Sequence, residues 1–457
     1  MRKTLFLCVV TLGAFVVSLT GCATSWKAGV ARVDITPEKP LWLSGYSNRD
    51  RPADGKETDL WVKALAIEDP AGRRAVLVTL DLIGFDRDIA VDVCERLREE
   101  YGLEREQITL CASHTHCSPI VGRNLAHAFF LEAEQWDGLD AYAARLKKDV
   151  VTVVGKALGQ LSSAELSWGN GSTTFAVNRR ENPQDEVPEL RAKGELKGPV
   201  DHDVPVLRVT AGDKLVAVVA GYACHATVMK YYKVSGDYPG FFQIELEKAH
   251  PGVTAMFWAG CGGDQNPLPR RKVGLPQKYG GMLARSVDAV LNGEMRPVEG
   301  TLDILYEEVD LPFAELPSKE ELERRVEESN RHVARVSRET LDRLARGEEI
   351  SRTYPYPIQT WRLGPDLCFV ALGGEVVVDY ALRLKRELGS ETTWVAGYSN
   401  DVMAYIPSRR VLAEGGYEGA SSMMYYGFST VWAPEVEDIV VRKVHEQVKA
   451  LRTNDGP

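Results

Sequence analysis

Apolar runs that stop at Gly, Pro, Asp or Ser alternate along this chain with amphipathic stretches of helical period. Residues 60–67 and 74–83 are two such runs, split by a Pro-Ala-Gly turn at 70–72. The second is nearly all apolar, which suits a strand buried on both faces. A helical pattern over 89–101 and a third strand over 107–113 give a βαβ-like beginning. A helix is expected over 142–161. Strands follow at 166–175, 204–209 and 215–223, the last two joined by a turn at 211–214. Further on, 241–250 reads as helix, 254–259 as strand and 279–291 as helix. Ser318-Lys-Glu-Glu321 has the form of a capping box and opens a charged stretch running to about Gly347, a solvated helix or helical hairpin. Residues 368–372 read as strand, 377–388 as helix and 393–397 as strand. Pro434 sits near the first position of a terminal helix over 435–451. The pattern predicts an α/β fold: one large layered domain from about 27 to 452, with mixed β-sheets flanked by helices.

The first residues follow another logic. Arg2 and Lys3 precede an apolar run over 5–19, too short for a comfortable membrane span and typical of an export signal. The run ends in Leu19-Thr20-Gly21-Cys22, which resembles the lipobox of bacterial lipoproteins. Cleavage would remove residues 1–21 as a signal peptide, leaving 22–457 with Cys22 as the lipidated N-terminus. An uncleaved signal anchor or an ordinary signal peptide is the alternative. The expected location is the bacterial cell envelope, lipid-anchored and facing the periplasm or exterior, with the lipid as the contact with the membrane.

With 457 residues there is ample chain for a large core, and Lys+Arg 55 against Asp+Glu 65 gives a net charge of −10. That balance argues against a nucleic-acid partner held by electrostatics. Six cysteines remain beyond Cys8 and Cys22: 94, 111, 117, 224, 261 and 368. None forms a CxxC pair, and small buried thiols are the simplest reading, with a local disulfide among Cys111, Cys224 and Cys261 left open.

The candidate chemistry lies at strand ends. Ser113-His114-Thr115-His116 closes an apolar strand, and alternate residues of a strand share a face, so the two imidazoles are expected to converge on one metal or substrate. A hydrogen-bonded pair is the alternative. His225 ends another apolar strand, and Glu375 follows Leu372-Gly-Gly374, where glycines permit close backbone approach. Two His and one carboxylate suit a zinc ion with a position left open for water.

The order of motifs adds a resemblance. Val30-Ala-Arg-Val-Asp-Ile-Thr-Pro37, Leu43-Ser-Gly-Tyr46, Ala112-Ser-His-Thr-His116, Asn178-Arg179, Cys224-His225, Ser235-Gly-Asp-Tyr-Pro-Gly240, Gly263-Asp-Gln-Asn-Pro267, Gly374-Glu375, and Tyr405 with Tyr417-Glu-Gly419 together resemble the neutral, non-lysosomal ceramidase family. The resemblance implies one zinc per chain, held by His114, His225, Glu375 and Tyr405, and a metal-activated water that cleaves an N-acyl amide. It further implies His116 as acid/base or oxyanion partner, Arg179 as a substrate-orienting cation and Tyr417 as a hydroxyl donor to the tetrahedral intermediate. Which of His114 and His116 binds metal stays open. Two departures from the family pattern stand out: Asn266 replaces a serine proposed as catalytic, and no immunoglobulin-like C-terminal domain is expected. The implied substrate is a small-molecule or lipid-like amide, by default ceramide-like. The alternatives are another envelope or glycan-derived amide or ester, and a non-catalytic binding lipoprotein.

Overall fold

A computed structural model describes residues 25–453. The expected signal segment and Cys22 lie outside the described residues. Three sheets dominate, and each ends in a parallel edge strand reached through a helix. In the first, the order is Ile108–Ala112, Arg74–Leu80, Trp61–Glu68, Lys27–Asp34 and the short Ser162–Ser163. Its edge strand runs parallel to Arg74–Leu80, joined through the helix Arg87–Tyr101. In the second, Thr254–Ala259 lies parallel to Lys214–Tyr222 by way of the helix Asp237–Ala249, and antiparallel strands Asp203–Ala211 and Glu165–Ser172 follow. In the third, Thr393–Ala396 lies parallel to Leu367–Leu372 through the helix Val378–Leu388, beside the antiparallel pair Leu302–Pro312 and Thr353–Leu363. This is the α/β fold of mixed sheets and flanking helices expected from the pattern.

Strand alternation divides two cores. Val62, Ala64, Ala66, Val76 and Val78 face the helices Arg87–Tyr101 and Ala133–Leu158. Leu65, Ile67, Ala75 and Leu77 face the other way, meeting Trp168, Leu207, Trp258, Trp361, Phe369 and Trp394 from the other two sheets. Burial on both faces explains why 74–83 reads as an unbroken apolar run. Truncating one of these tryptophans to Ala would cost about 3–5 kcal/mol.

The three parallel edges meet at their carboxyl ends. The Gly397 N–H donates to Ala259 O at 3.0 Å, the Ala112 N–H to Tyr398 O at 3.1 Å and the His116 N–H to Ala226 O at 3.2 Å. Carboxyl ends of strands are where α/β sheets bind ligands, and here three of them share one place.

Some elements escape the pattern. Leu302–Pro312 and Thr353–Leu363 pair along all eleven residues, but their charged positions and Pro355 and Pro357 leave no continuous apolar run. The first strand, Lys27–Asp34, is likewise broken by polar residues. The helix expected from 142 begins at Ala133, where Glu132 and Gln135 form a capping box ahead of an exposed first turn. The charged stretch is a helical hairpin, Lys319–Val326 and Arg331–Ala345, with the Ser318 hydroxyl accepting the Glu321 N–H at 3.2 Å. Its buried face, including His332, Val336 and Thr340, packs against segments around 126–128 and 421–426. All six cysteines among the described residues are free and buried, so the local disulfide left open above is not formed. No helix among the described residues is long and apolar enough to cross a membrane.

Candidate metal centre

The His114 and His116 rings converge, but not by strand alternation. The strand ends at Ala112, and His114 takes a left-handed conformation with φ 59°. The turn, pinned where Thr115 bridges to Ala226 and its hydroxyl donates to Ser235 O at 2.7 Å, aims both imidazoles inward. Bulk is excluded beside it: a Cβ on Gly45, which has φ 89°, would lie 2.4 Å from His116 Cγ. His225 enters past the end of Lys214–Tyr222, and Glu375 enters opposite Tyr405 in a two-residue parallel pairing. The glycine before Glu375 is needed as expected. Gly374 has φ 73°, and a Cβ there would meet Ala404 O at 2.7 Å.

Tautomers follow from the backbone. His114 Nδ1 lies 2.6 Å from Ile83 O and His225 Nδ1 lies 2.6 Å from Gly262 O. A carbonyl only accepts, so both Nδ1 atoms carry a proton and both Nε2 atoms point inward. Those Nε2 atoms each stand 3.1 Å from Glu375 Oε2. Tyr405 Oη is 3.2 Å from His225 Nε2, and His116 Nε2 is 3.2 Å from His114 Nε2. Donor nitrogens of His114, His116 and His225 all lie within 4.8 Å of one another.

The site is buried and charged. Burial, with the Arg179 charge, lowers His225 to about 4, so its imidazole is neutral. Burial, with its two neighbouring imidazoles, holds His116 well below the usual histidine range. Burial alone would raise Glu375, yet His114 and His225 hold it well below the ordinary carboxylate range. Arg179 donates from Nε to Glu418 Oε1 at 2.7 Å and from Nη2 to Tyr405 Oη at 3.2 Å. Its guanidinium carbon also lies 5.6 Å from the centre of the Tyr417 ring, which is 43% exposed.

Three imidazole nitrogens and a carboxylate oxygen converge on one buried place. This donor set fits a metal ion. A cleft of about 220 Å³ opens onto the centre, lined by His116, Glu375, Tyr405 and Tyr417 together with Tyr46 and Tyr426. His114 and His225 stay behind it.

The neutral/alkaline non-lysosomal ceramidase family, in its N-terminal region, matches residues 26–264, more than half of the chain. The chain belongs to this ceramidase family. Neutral ceramidase 1 of Arabidopsis thaliana is 33% identical over 242 residues, 51% of this chain and 30% of that protein. Neutral ceramidase 2 of the same plant is 32% identical over 98 residues, 21% of this chain and 13% of the relative. The chain thus matches less than a third of either relative's length. In structure, neutral ceramidase from Pseudomonas aeruginosa superposes with a TM-score of 0.73 at 20% identity, covering 94% of this chain and 75% of that one.

The ceramidase resemblance placed seven site residues, His114, His116, Arg179, His225, Glu375, Tyr405 and Tyr417, and the fold brings all seven together. It assigned no role to four others. Tyr426 donates to Glu375 Oε1. Glu418 anchors both Arg179 and Arg180. Tyr398 packs against His114 with ring centres 4.2 Å apart and the rings tilted by 32°, and the Tyr46 and His116 ring centres are 5.0 Å apart. Two of the four stood inside quoted motifs, Tyr46 in Leu-Ser-Gly-Tyr and Glu418 in Tyr-Glu-Gly. Nothing local marks Tyr398 or Tyr426 apart from other tyrosines.

Proposed function

We propose that this chain is a zinc-dependent hydrolase that cleaves an N-acyl amide, with ceramide-like lipids as the default substrate. The observation that carries the reading is the buried cluster of His114, His116 and His225, whose ring nitrogens lie within 4.8 Å of one another, with Glu375 Oε2 3.1 Å from two Nε2 atoms. His114, His225, Glu375 and Tyr405 would hold the ion, one per chain. Bound there, zinc supplies Lewis-acid activation of a water at near-neutral pH.

The protein groups divide the remaining work. His116 lines the cleft, and its buried Nδ1 has no partner, unlike the fixed Nδ1 atoms of His114 and His225. That freedom suits proton transfer from the attacking water to the leaving amine. Arg179, clamped by Glu418, holds its charge beside Tyr405 and Tyr417. The exposed Tyr417 hydroxyl is free to donate to the developing oxyanion, and losing one such donor costs about 2.7–4 kcal/mol. Tyr425, Leu125 and Ala128 give the cleft wall an apolar component fit for an acyl chain.

The chain is further proposed to be exported and lipidated at Cys22 after loss of residues 1–21, working at the envelope surface as residues 22–457. The Leu-Thr-Gly-Cys motif supports this part. Elemental analysis of the protein lacking residues 1–22, with an N-acyl amide panel, tests the function. Near-stoichiometric zinc that is lost in His225→Ala, together with amide turnover, is the expected result. Zinc unchanged in that variant would remove His225 from the centre. Cys22→Ser should release the protein from membranes.

A further inference from the structure

The cleft takes its apolar wall from two short segments, and the helical hairpin grips both. Apart from Ile83, the aliphatic lining comes from Leu125 and Ala128, and Tyr425 adds a ring. The segments Ala126–Ala128 and Ser421–Tyr426 pack on each other, and the helix Arg331–Ala345 packs on both. Just past the second segment Gly427 has φ 82°, and a Cβ there would lie 2.6 Å from His127 Cε1. From the hairpin, Arg335 donates from Nη1 to Phe129 O at 2.8 Å and from Nε to Glu339 Oε1 at 2.9 Å. The other oxygen of Glu339 lies 2.6 Å from His127 Nε2. Arg325, on the hairpin's first helix, donates to Ser429 O at 3.1 Å.

His332 reaches both segments at once. It is buried, and its Nδ1 lies 2.9 Å from His127 O, so that nitrogen carries a proton and donates it. Its ring meets the Tyr425 ring edge-on, with centres 4.9 Å apart and planes at 66°. Burial, with Arg331 and Arg335 nearby, lowers His332 below the usual histidine range, so the ring is neutral and serves as a packing surface. Tyr425 is half-buried, and its hydroxyl makes no hydrogen bond among the described residues. Its place in the wall therefore rests on packing, which includes the rings of His332 and of Tyr417, the latter 6.3 Å away. Tyr417 in turn lies 5.3 Å from the ring of Tyr405. His332 is thus two ring contacts from a residue assigned to the chemistry and three from the metal centre.

We propose that the hairpin sets the cleft's preference for acyl-chain length, with His332 as a positioning residue that holds Tyr425 as the seat of the chain. This deepens the amidase reading and rests on it. A short acyl group would use the metal centre with little help from the wall, whereas each methylene laid on a fixed apolar surface is worth about fourfold in affinity. A Tyr425 ring released from His332 would forfeit much of that gain, because the chain would have to order the ring as it binds.

The test compares N-acetyl-, N-butanoyl- and N-hexanoylethanolamine on the purified protein supplied with zinc. In the parent, kcat/KM should rise at least about tenfold from acetyl to hexanoyl, the effect of roughly two seated methylenes, and the rise should lie in KM. His332→Asn keeps a donor for His127 O but removes the ring, and should flatten the rise to about threefold or less. His332→Phe keeps the ring and removes the donor, and should restore the rise at a lowered melting temperature. Tyr425→Ala, at a half-buried position, should flatten the rise as well and supplies the comparison if neither His332 variant folds. Calorimetric titration with N-hydroxyacetamide and N-hydroxyhexanamide reads the same preference in binding alone. A preference in binding that His332→Asn or Tyr425→Ala flattens, with no amide hydrolysed, would sink the hydrolase reading and keep the chain seat. A rise untouched by both of those variants, an equal loss at every chain length in His332→Asn and His332→Phe, or no chain-length dependence in either turnover or binding would overturn the seat.

Discussion

Tyr426 donates its hydroxyl to Oε1 of Glu375, the oxygen left over when Oε2 faces the Nε2 atoms of His114 and His225. The tyrosine is buried, and its proton fixes which carboxylate oxygen is offered to the centre. Support of this kind behind a metal ligand is commonly worth 10–100-fold in metal affinity.

Tyr426→Phe keeps the ring and deletes only that donor. Zinc affinity, measured by competition with a chromophoric chelator, is expected to fall by about 10–100-fold. Turnover at saturating zinc should suffer less than affinity does. Unchanged affinity would mean that packing alone orients Glu375.

Gly45 is predicted to tolerate no side chain. An alanine would have to hold φ 89° and place its Cβ 2.4 Å from His116 Cγ. Backbone strain of this kind costs on the order of 1–3 kcal/mol, and the imidazole must also move. Gly45→Ala should therefore lower both the melting temperature and turnover. Gly72→Ala, at a similar φ of 87° but with nothing within 4 Å of the added Cβ, should cost stability alone.

Why the sequence revealed some of this and not the rest can be argued residue by residue. Strands 74–80 and 254–259 are buried on both faces, so their apolar runs are visible. Leu302–Pro312 carries Glu307, Glu308 and Asp310, and it is held by its full-length pairing with Thr353–Leu363, a non-local cause that no local window contains. The same holds at the centre. His114, His225 and Glu375 stand at ends of legible strands, so chemistry and position coincide in the sequence. Tyr405 was reached only through the family resemblance, and Tyr426 reaches Glu375 from 51 residues away. The pairing of His114 with His116 was anticipated for a wrong reason, since a left-handed turn rather than a pleat turns the rings together.

Asp401 gives a pH dependence whose sign is fixed. Burial pushes its carboxyl up to about 7 from an ordinary 3.8, with Asp86 and Glu308 adding to the rise. The Tyr354 hydroxyl, donating at 2.6 Å, and Arg87 pull the other way. Between about pH 4 and 7 the native protein holds a proton that the unfolded chain has released, so this group's stabilisation is full below about 4 and is lost as pH rises toward 7. Asp401→Asn resembles the protonated form. Its urea midpoint relative to the parent should rise between pH 5 and pH 7.5, and an equal difference at both pH values would show that Asp401 does not titrate there.

Asn266 should matter less to turnover than His116, although both lie beside the centre. Asn266 Oδ1 accepts long contacts from Arg179 and Thr227, at 3.5 and 3.4 Å, and an amide is no nucleophile. His116 lies on the cleft wall with its Nδ1 free. Loss of a general acid or base typically costs 10²–10⁴-fold, and His116→Ala is expected to fall in about that range with zinc retained. Tyr417→Phe should lose about 10²-fold or more if its hydroxyl meets the oxyanion. Asn266→Ala removes only an acceptor that steadies Arg179, so its loss should be smaller than either. Steady-state kinetics on an amide from the panel, with zinc content measured for each variant, decides the order. A loss at Asn266 equal to that at His116, with zinc intact, would give the loop from Gly263 to Pro267 a direct part in the chemistry.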